Sequence, residues 1–378
     1  MSIEPGRDGV GDYVRQIAQV LTSQGHSCQI VALADRFADQ PGDATDPEYG
    51  FQIVRLPHAD WQRGDIEFAV ERVARFRPDW ASLQMVCYGF EHRGMLWRSA
   101  RRFARLRLAP RRHLMFHELW IGAWRNSSAK ERAIGWVQRH LLLRALRIWS
   151  PQIVHTSNAC YREMLRRVNV SVEELAIPSS IPVRELGAAR ARESLERRLN
   201  RSPGSAASPL LGGVFGNLPP ELAAGDWWEC LLGTCAGVGR ELVIVQLGRA
   251  GPGGPGLISA LRQRSAGRVQ FLELGELPPA EVSAVFQGLD FGISSAPRPL
   301  IGKSSSTAAM LGHGLPVLVP RESEGLRGGA EPTPLADPQL LRIGDFCKAL
   351  QSDTLQHAGT KRQFDVYERF VRALEYAS

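Results

Sequence analysis

The stretch Leu300-Ile301-Gly302-Lys303-Ser304-Ser305-Ser306-Thr307-Ala308-Ala309-Met310-Leu311-Gly312-His313-Gly314-Leu315-Pro316-Val317-Leu318-Val319 reads as a short loop, a helix, a glycine stop and a buried strand. The helix would open on one cation, Lys303, and four hydroxyl side chains, Ser304, Ser305, Ser306 and Thr307. A helix start has backbone N–H groups without internal partners and the positive end of the peptide dipole. With an ammonium group and hydroxyl donors added, it suits a phosphate or pyrophosphate. Ordinary capping favours the same residue types, so the stretch alone fits either use. Gly314-Leu315-Pro316 then stops the helix and launches the strand.

The same alternation extends in both directions. Strands are expected at Cys28–Leu33, Phe51–Leu56, Ala81–Val86, His113–Phe116, Ile153–Thr156 and Leu175–Ile177, then at Leu211–Phe215, Leu242–Leu247, Val269–Leu272 and Phe291–Ser294. Helical spacing appears between them. Val14, Ile17, Ala18 and Leu21 follow Gly11, an Arg-rich helix is expected over Met95–Leu108, and Lys130–Trp149 reads as a long helix. Such alternation implies parallel sheets flanked by helices. Between residues 187 and 209 the pattern breaks into Arg201-Ser202-Pro203-Gly204-Ser205-Ala206-Ala207-Ser208-Pro209, which reads as a linker. The expected layout is therefore a first α/β domain over 1–186, the linker 187–209, a second α/β domain over 210–355, and a C-terminal helical segment, 356–378, able to pack back on the first domain. Both domains are expected to be doubly wound and Rossmann-like, facing a cleft, with ligands at the carboxyl ends of the strands.

The opening is unusual. Gly9-Val10-Gly11-Asp12-Tyr13 looks like a loop entering a helix, yet no apolar strand precedes it. A parallel sheet normally places a strand there. Either the start is truncated or another segment fills that place.

Composition narrows the function classes. The chain has 378 residues, 44% apolar and 22% charged, with a formal net charge of +7. That is the profile of a globular protein with room for two cores. The six cysteines are scattered, with no Cys-x-x-Cys pair, so neither a zinc site nor a disulfide framework is expected. No run of eighteen apolar residues and no leader segment is read, which makes the cytoplasm the expected location. The basic set Arg98, Arg101, Arg102, Arg105, Arg107, Arg111 and Arg112 reads first as a solvated helix face and second as a surface for anionic lipid. No nucleic-acid-binding module accompanies it.

Several residues carry chemistry by position. His117 and Glu118 directly follow a strand, where loops bear function. Arg249, in a Gly-rich loop after the strongest strand, and Arg298, ahead of Lys303, are phosphate candidates.

With these motifs in place, the chain resembles the GT-B glycosyltransferases, most of all the large retaining group called family 4. Asp8-Gly9-Val10-Gly11-Asp12-Tyr13 is similar to that family's N-terminal glycine loop, and Phe116-His117-Glu118-Leu119-Trp120 to its strand-end histidine. Val214-Phe215-Gly216-Asn217 resembles the start of its donor domain. Leu274-Gly275-Glu276-Leu277-Pro278 and Gly312-His313-Gly314-Leu315-Pro316-Val317 resemble its nucleotide-sugar half. The resemblance implies transfer of a sugar from a nucleotide-sugar donor to an acceptor hydroxyl, with retained configuration and without a metal or cofactor. It implies nucleotide contacts at Gly216, Asn217, Gly248, Glu276 and Leu277; for the donor phosphates, the residues' own chemistry offers Lys303, Ser304, Ser305, Ser306 and Thr307, with Arg249 and Arg298, in place of the family's basic pair. It further implies catalytic roles for His117 and Glu118, and a loop facing acceptor and sugar at Gly9, Val10, Gly11 and Tyr13. The acceptor would be a sugar or lipid-linked sugar, in polysaccharide or glycoconjugate synthesis, with the basic set touching the inner face of a membrane. One departure is marked. The family's two glutamates ahead of Gly-x-Pro-Val fall on Ala309 and near Ile301, neither acidic, and its Arg and Lys pair after Gly216 is not evident. Two other readings follow from that departure: a nucleotide-sugar-binding subunit without activity, and a nucleotide-sugar epimerase of the same two-domain form.

Overall fold

The computed structural model describes residues 2–376 apart from positions 5, 7, 185–186, 202–208, 323–324, 330–331, 333–335 and 359–363. No described helix is long and apolar enough to cross a membrane. The chain forms two compact units. One comprises Met1–Ile177, Gly325–Thr333 and Asp365–Ser378, and the other Pro178–Glu324 and Pro334–Phe364. An unbroken second domain over 210–355 does not anticipate the return of the chain to the first unit at 325–333.

The first unit has two sheets. Strands β1 (Gln29–Asp35), β2 (Gly42–Thr45) and β3 (Gln52–Pro57) lie in the order β1-β3-β2, with β1 parallel and β2 antiparallel to β3. Strands β4 (Trp80–Met85), β5 (Arg111–Phe116), β6 (Ile153–Thr156) and β7 (Glu173–Glu174) form a parallel sheet in sequence order. The short strand expected at Leu175–Ile177 is thus two residues earlier. Strands β1 and β4 are the edges of their sheets, and among the described residues their outer sides pair with no strand. The helix Gly9–Ser23 buries Tyr13, Ile17 and Ala18, the stripe its sequence spacing predicts. The C-terminal helix Phe364–Tyr376 joins this core, where Phe370 meets Tyr13, Ile17 and Met115.

The Arg-rich helix is shorter than expected, Ser99–Arg105. Glu91 explains the start. Its Oε1 accepts the N–H groups of Arg98 and Ser99, at 2.9 and 2.6 Å, and the Ser99 hydroxyl at 2.7 Å. A carboxylate at a helix N-terminus both caps and complements the dipole. The basic run is partly turned inward. Arg102 is buried, donates to the Gln62 carbonyl and lies over Trp61, while Arg112 donates to the carbonyls of Ala109, Pro110 and Trp149. Arg105 pairs with Glu67. Arg98, Arg101 and Arg107 remain exposed.

The second unit is one parallel sheet of β8 (Leu210–Phe215), β9 (Leu242–Leu247), β10 (Val269–Gly275), β11 (Phe291–Ile293), β12 (Val317–Leu318) and β13 (Leu340–Leu341), in the order β10-β9-β8-β11-β12-β13. Every residue of β9 is buried. Leu242 and Ile244 pack in an apolar cluster with Trp228, Leu257 and Phe346, whereas Val243, Val245 and Leu247 pack in another with Leu195, Phe286 and Met310. Alternate side chains therefore feed opposite faces, as a doubly wound sheet requires.

Two expectations are corrected here. Residues Ala188–Arg198, read as linker, form a helix that delivers Leu195 to this core and is tied down by Arg192, which pairs with Asp290. The rest of that linker, 202–208, lies outside the described residues. The glycine-rich tail after Arg249, read as a surface loop, turns at Gly254 into the helix Gly254–Ser265, because Leu257, Ile258 and Leu261 form a buried stripe.

Gly314 ends the helix Ser305–Gly312 with φ +76°, and an added Cβ would sit 1.8 Å from the Ala358 carbonyl oxygen. Only glycine meets both conditions. Gly314→Ala should destabilise the second unit by about 2 kcal/mol or more, from left-handed strain plus displaced backbone. Chemical denaturation would register this as a lowered midpoint, and an unchanged midpoint would contradict the packing described.

Candidate functional site

In the second unit the carboxyl ends of the central strands converge on the helix Ser305–Gly312. At the end of β8, Gly216 adopts φ +81°, and its N–H donates to the Leu247 carbonyl at 2.9 Å. Its missing Cβ would lie 3.7 Å from Ser306 Cβ, so the first turn of that helix stands directly against the β8 loop. Gly248 follows β9 with φ +73°, where a Cβ would approach the Phe215 ring to 3.1 Å and the Gly216 nitrogen to 3.4 Å. Two positive-φ glycines and a helix start thus bring bare backbone together at strand ends, the place where open α/β sheets bind ligands.

The hydroxyls at this helix start divide into two groups. Ser304 is the cap: its Oγ accepts the Thr307 N–H at 3.2 Å. Thr307 is fully buried, its Oγ1 held 2.9 Å from both Ser304 Oγ and Ser294 Oγ. That hydroxyl locks the helix to the end of β11, so Thr307 is removed from the set of phosphate contacts. Ser305 and Ser306 are half-buried, Lys303 is exposed, and no hydrogen bond among the described residues takes up the Ser305 and Ser306 N–H groups. Those N–H groups carry the dipole's positive end.

The two arginines differ from expectation as well. Arg298 reaches the Leu340 carbonyl and pairs with Glu322, whose carboxylate also meets Arg342. It serves to clamp β13, not to present a cation. Arg249 is 59% exposed and pairs through Nε with Glu276 Oε1 at 2.7 Å. This pair joins the loops after β9 and β10, and Glu276 holds the guanidinium more firmly protonated than usual. Of the remaining nucleotide residues, Asn217 is exposed beside Gly251, while Leu277 is half-buried and packs into the apolar cluster.

In the first unit His117 follows β5 and is 7% exposed. Its N–H donates to the Met85 carbonyl at 3.1 Å. Its Nε2 lies 2.8 Å from Gln84 Oε1. From Gln84 a chain of side chains continues inward: Gln84 Nε2 donates to Ser82 Oγ at 2.7 Å, Ser82 Oγ meets His113 Nδ1 at 2.7 Å, and His113 Nε2 meets His155 Nδ1 at 3.0 Å. Burial pushes the His113 imidazole well below the ordinary histidine range and lowers His155 to about 4. Glu118 is half-buried and takes no hydrogen bond or ion pair among the described residues. It adjoins Cys87, whose thiol is pushed up to about 12, first by burial and then by this carboxylate. His117 and Glu118 are therefore neighbours in chain and site, one fixed by hydrogen bonds and the other an open carboxylate.

The expected acceptor loop is only partly a loop. Gly9 is exposed and Val10 half-buried, both inside the helix Gly9–Ser23. Its first turn is capped by the Asp8 carboxylate, which accepts from Val10 and Gly11 N–H. A Cβ on Gly11 would lie 2.0 Å from the Ser2 carbonyl oxygen, so this glycine permits a close chain crossing. Tyr13 is 2% exposed and packs edge-on against His117, with ring centroids 5.1 Å apart. It is a core residue and not a surface contact, because position 13 falls on the buried stripe of its helix. The polar chain through Gln84, Ser82 and His155 was missed in the sequence. Its only trace is Ser82 and Gln84 alternating within an otherwise apolar strand.

No protein-family model and no curated protein matches the chain. Solved structures do. HepE of Anabaena, in complex with UDP and glucose, aligns at 13% identity over 100% of this chain and 98% of its own, with TM-score 0.57. The catalytic domain of starch synthase IV from Arabidopsis thaliana, bound to ADP and acarbose, aligns at 12% identity over 99% and 96%, with TM-score 0.58. The lipopolysaccharide outer core galactosyltransferase WaaB aligns at 11% identity over 100% and 98%, also with TM-score 0.58. At such identities the likeness shows the fold, the α/β architecture with parallel sheets of GT-B glycosyltransferases.

Proposed function

We propose that this chain is a glycosyltransferase that takes a sugar from a nucleotide-sugar donor and passes it to an acceptor hydroxyl. The observation that carries the reading is the meeting of Gly216 with the first turn of Ser305–Gly312 at the strand ends. In this reading the donor diphosphate rests on the Ser305 and Ser306 N–H groups, with Lys303 supplying full positive charge. Gly216, Gly248, Asn217 and the backbone around Glu276 and Leu277 accommodate the nucleoside, and Arg249 borders the phosphates. Fold-level likeness to structures that hold UDP or ADP supports the assignment.

The reaction breaks the bond between the anomeric carbon and the diphosphate oxygen, which leaves with the electron pair. For retained configuration the new bond from the acceptor oxygen to that carbon forms on the face the diphosphate leaves, and the acceptor proton passes to a base. Glu118, an open carboxylate beside His117, is the residue suited to receive it. His117 is suited to bond a sugar hydroxyl. Charge gathering on the departing diphosphate would be stabilised by preorganised N–H groups and Lys303, with no metal required and with retained configuration. The product would be a polysaccharide or glycoconjugate.

Lys303→Ala should weaken binding of the donor about tenfold, the usual worth of one charge-assisted phosphate contact. Calorimetry across UDP-, GDP-, ADP- and TDP-sugars would measure it. Unchanged affinity would refute the phosphate assignment. A second reading, binding of the nucleotide sugar without transfer, is favoured by one observation: Ala309, where the resembled family carries a glutamate, is fully buried, and Ile301 is buried with it. Donor binding with no transfer or hydrolysis would support that alternative.

A further inference from the structure

From residue 86 to residue 150 the first unit carries fourteen Lys and Arg against three Glu and no Asp, although the whole chain has a net charge of only +7. Two of those glutamates are engaged: Glu91 caps the helix Ser99–Arg105, and Glu131 closes the capping box of the helix Ala129–Trp149. Exposed arginines elsewhere carry a carboxylate, as Arg166 does from Glu163 and Arg262 from Glu273. Arg93, Arg98 and Arg101 are exposed and pair with no carboxylate among the described residues. Trp97 and Trp136 share this segment and are 57% and 59% exposed. One buried amide ties the segment together. Gln138 Nε2 donates to the Tyr88 hydroxyl at 2.9 Å and to the Arg93 carbonyl at 2.7 Å, and its Oε1 accepts the Ile121 N–H at 3.0 Å. The exposed Tyr88, the loop before Trp97 and the chain that follows Glu118 thus meet on the helix that bears Trp136. Arg93 is held there at φ +56°, a conformation that favours glycine. Trp136 is braced by His140, whose ring centroid is 4.1 Å away and whose Nδ1 donates to the Trp136 carbonyl at 2.7 Å.

We propose that this surface binds an acidic saccharide chain, the acceptor of the transfer proposed above, and the acceptor role rests on that reading. Three features select this ligand. First, the charge is complementary: guanidinium groups without carboxylate partners grip carboxylate, sulfate or phosphate groups in pairs of hydrogen bonds. Secondly, flat exposed rings between the cations offer stacking faces, and sugar rings present apolar C–H faces to them. Thirdly, the surface is continuous with the candidate site, because the His117 N–H bonds the Met85 carbonyl, three residues before Tyr88. A bilayer would call for a continuous apolar face beside the basic one. Here Leu108 is the one large aliphatic side chain exposed between residues 86 and 150 among the described residues, and Arg132, Ala133 and His140 surround Trp136 at one helical turn. A single nucleic-acid strand stacks and pairs in a similar manner, so it enters the test as a competitor.

The test measures binding to the full chain by calorimetry, without donor, of a polyglucuronate hexasaccharide and of a neutral glucan of equal length. The acidic chain should bind about tenfold or more tightly than the neutral one, and its affinity should fall as salt is added. Trp97→Ala and Trp136→Ala should each weaken it about tenfold, whereas Trp136→Phe, which keeps a ring, should stay within about threefold of the parent. Arg98→Gln combined with Arg101→Gln should also cost about tenfold and flatten the salt dependence. All four side chains are exposed, so melting temperatures should not change. The proposal is overturned if the neutral glucan binds equally, or if the tryptophan variants bind the acidic chain as the parent does. Tighter binding of oligothymidylate or of phosphatidylglycerol vesicles than of polyglucuronate would overturn it as well. Failure of the transferase reading looks different: polyglucuronate bound through these residues by a chain that binds no nucleotide sugar supports the surface and refutes the transfer. Transfer to a neutral acceptor with no affinity for polyglucuronate overturns the surface and leaves the transfer intact.

Discussion

Ser306→Glu should abolish measurable donor binding, a loss of about 100-fold or more, while the protein stays folded. Ser306 stands 3.7 Å from the place of a Gly216 Cβ, in the first turn of its helix. A carboxylate there would occupy the diphosphate position with like charge. Unit charges about 4 Å apart repel by roughly 4 kcal/mol at the effective dielectric of a protein surface, and 100-fold in affinity corresponds to about 2.7 kcal/mol. The same carboxylate suits the helix itself, because acidic groups in a first turn stabilise it by about 0.3–1 kcal/mol. Binding and stability should therefore move apart: calorimetry with a nucleoside diphosphate shows the loss, and thermal melting shows no fall. Retained binding would remove the diphosphate from this helix. A melting temperature that fell together with affinity would mean that Ser306 acts in packing.

Lowering the pH from about 6.5 to 4 should cost the first unit about 3 kcal/mol of stability through His155 alone. Burial is the main cause of its lowered pKa; Glu173 pulls the value up and Arg369 pulls it down. The sign follows from proton counts. Unfolded histidines bind protons below about 6.5, whereas folded His155 stays neutral until about 4, so the unfolded state binds more protons across that window. The contribution is complete above the unfolded pKa and is lost as the pH falls towards the folded one. His113, also buried and lowered, acts in the same direction. Denaturant titrations at intervals between pH 7 and 4 would trace a falling limb. A flat profile would mean that these imidazoles are reached by water.

Sequence spacing located most of this architecture because buried stripes and strand runs are local signals. Unbroken apolar runs such as Leu242–Leu247 announce a central strand, and the long helix read over Lys130–Trp149 is found at Ala129–Trp149. The helix start at Ser304 was legible for the same reason: caps are written within four residues. What escaped depends on partners far apart in the chain. Thr307 looks like one more hydroxyl until β11 brings Ser294 to it. Arg298 looks like a phosphate ligand until β13 and Glu322 occupy it. Tyr13 looks like part of a glycine loop until His117 closes over its ring. The start of the Arg-rich helix was set by Glu91, eight residues upstream of the Ser99 it caps. Charge and hydroxyl content name the chemistry available; tertiary pairing decides which groups remain to perform it.

The line from His117 through Gln84, Ser82 and His113 to His155 has one more property. Each link needs one donor and one acceptor, and each neutral ring has a single N–H. With the Gln84 amide as placed, His117 donates to Gln84, Ser82 donates to His113, and His113 donates to His155. Turning the link between the two inner rings round requires both of them to change tautomer, while the Ser82 oxygen, which can accept two hydrogen bonds, keeps the one from Gln84. With that placement of the amide His117 presents Nε2–H to Gln84 and leaves Nδ1 as its acceptor at the end of β5.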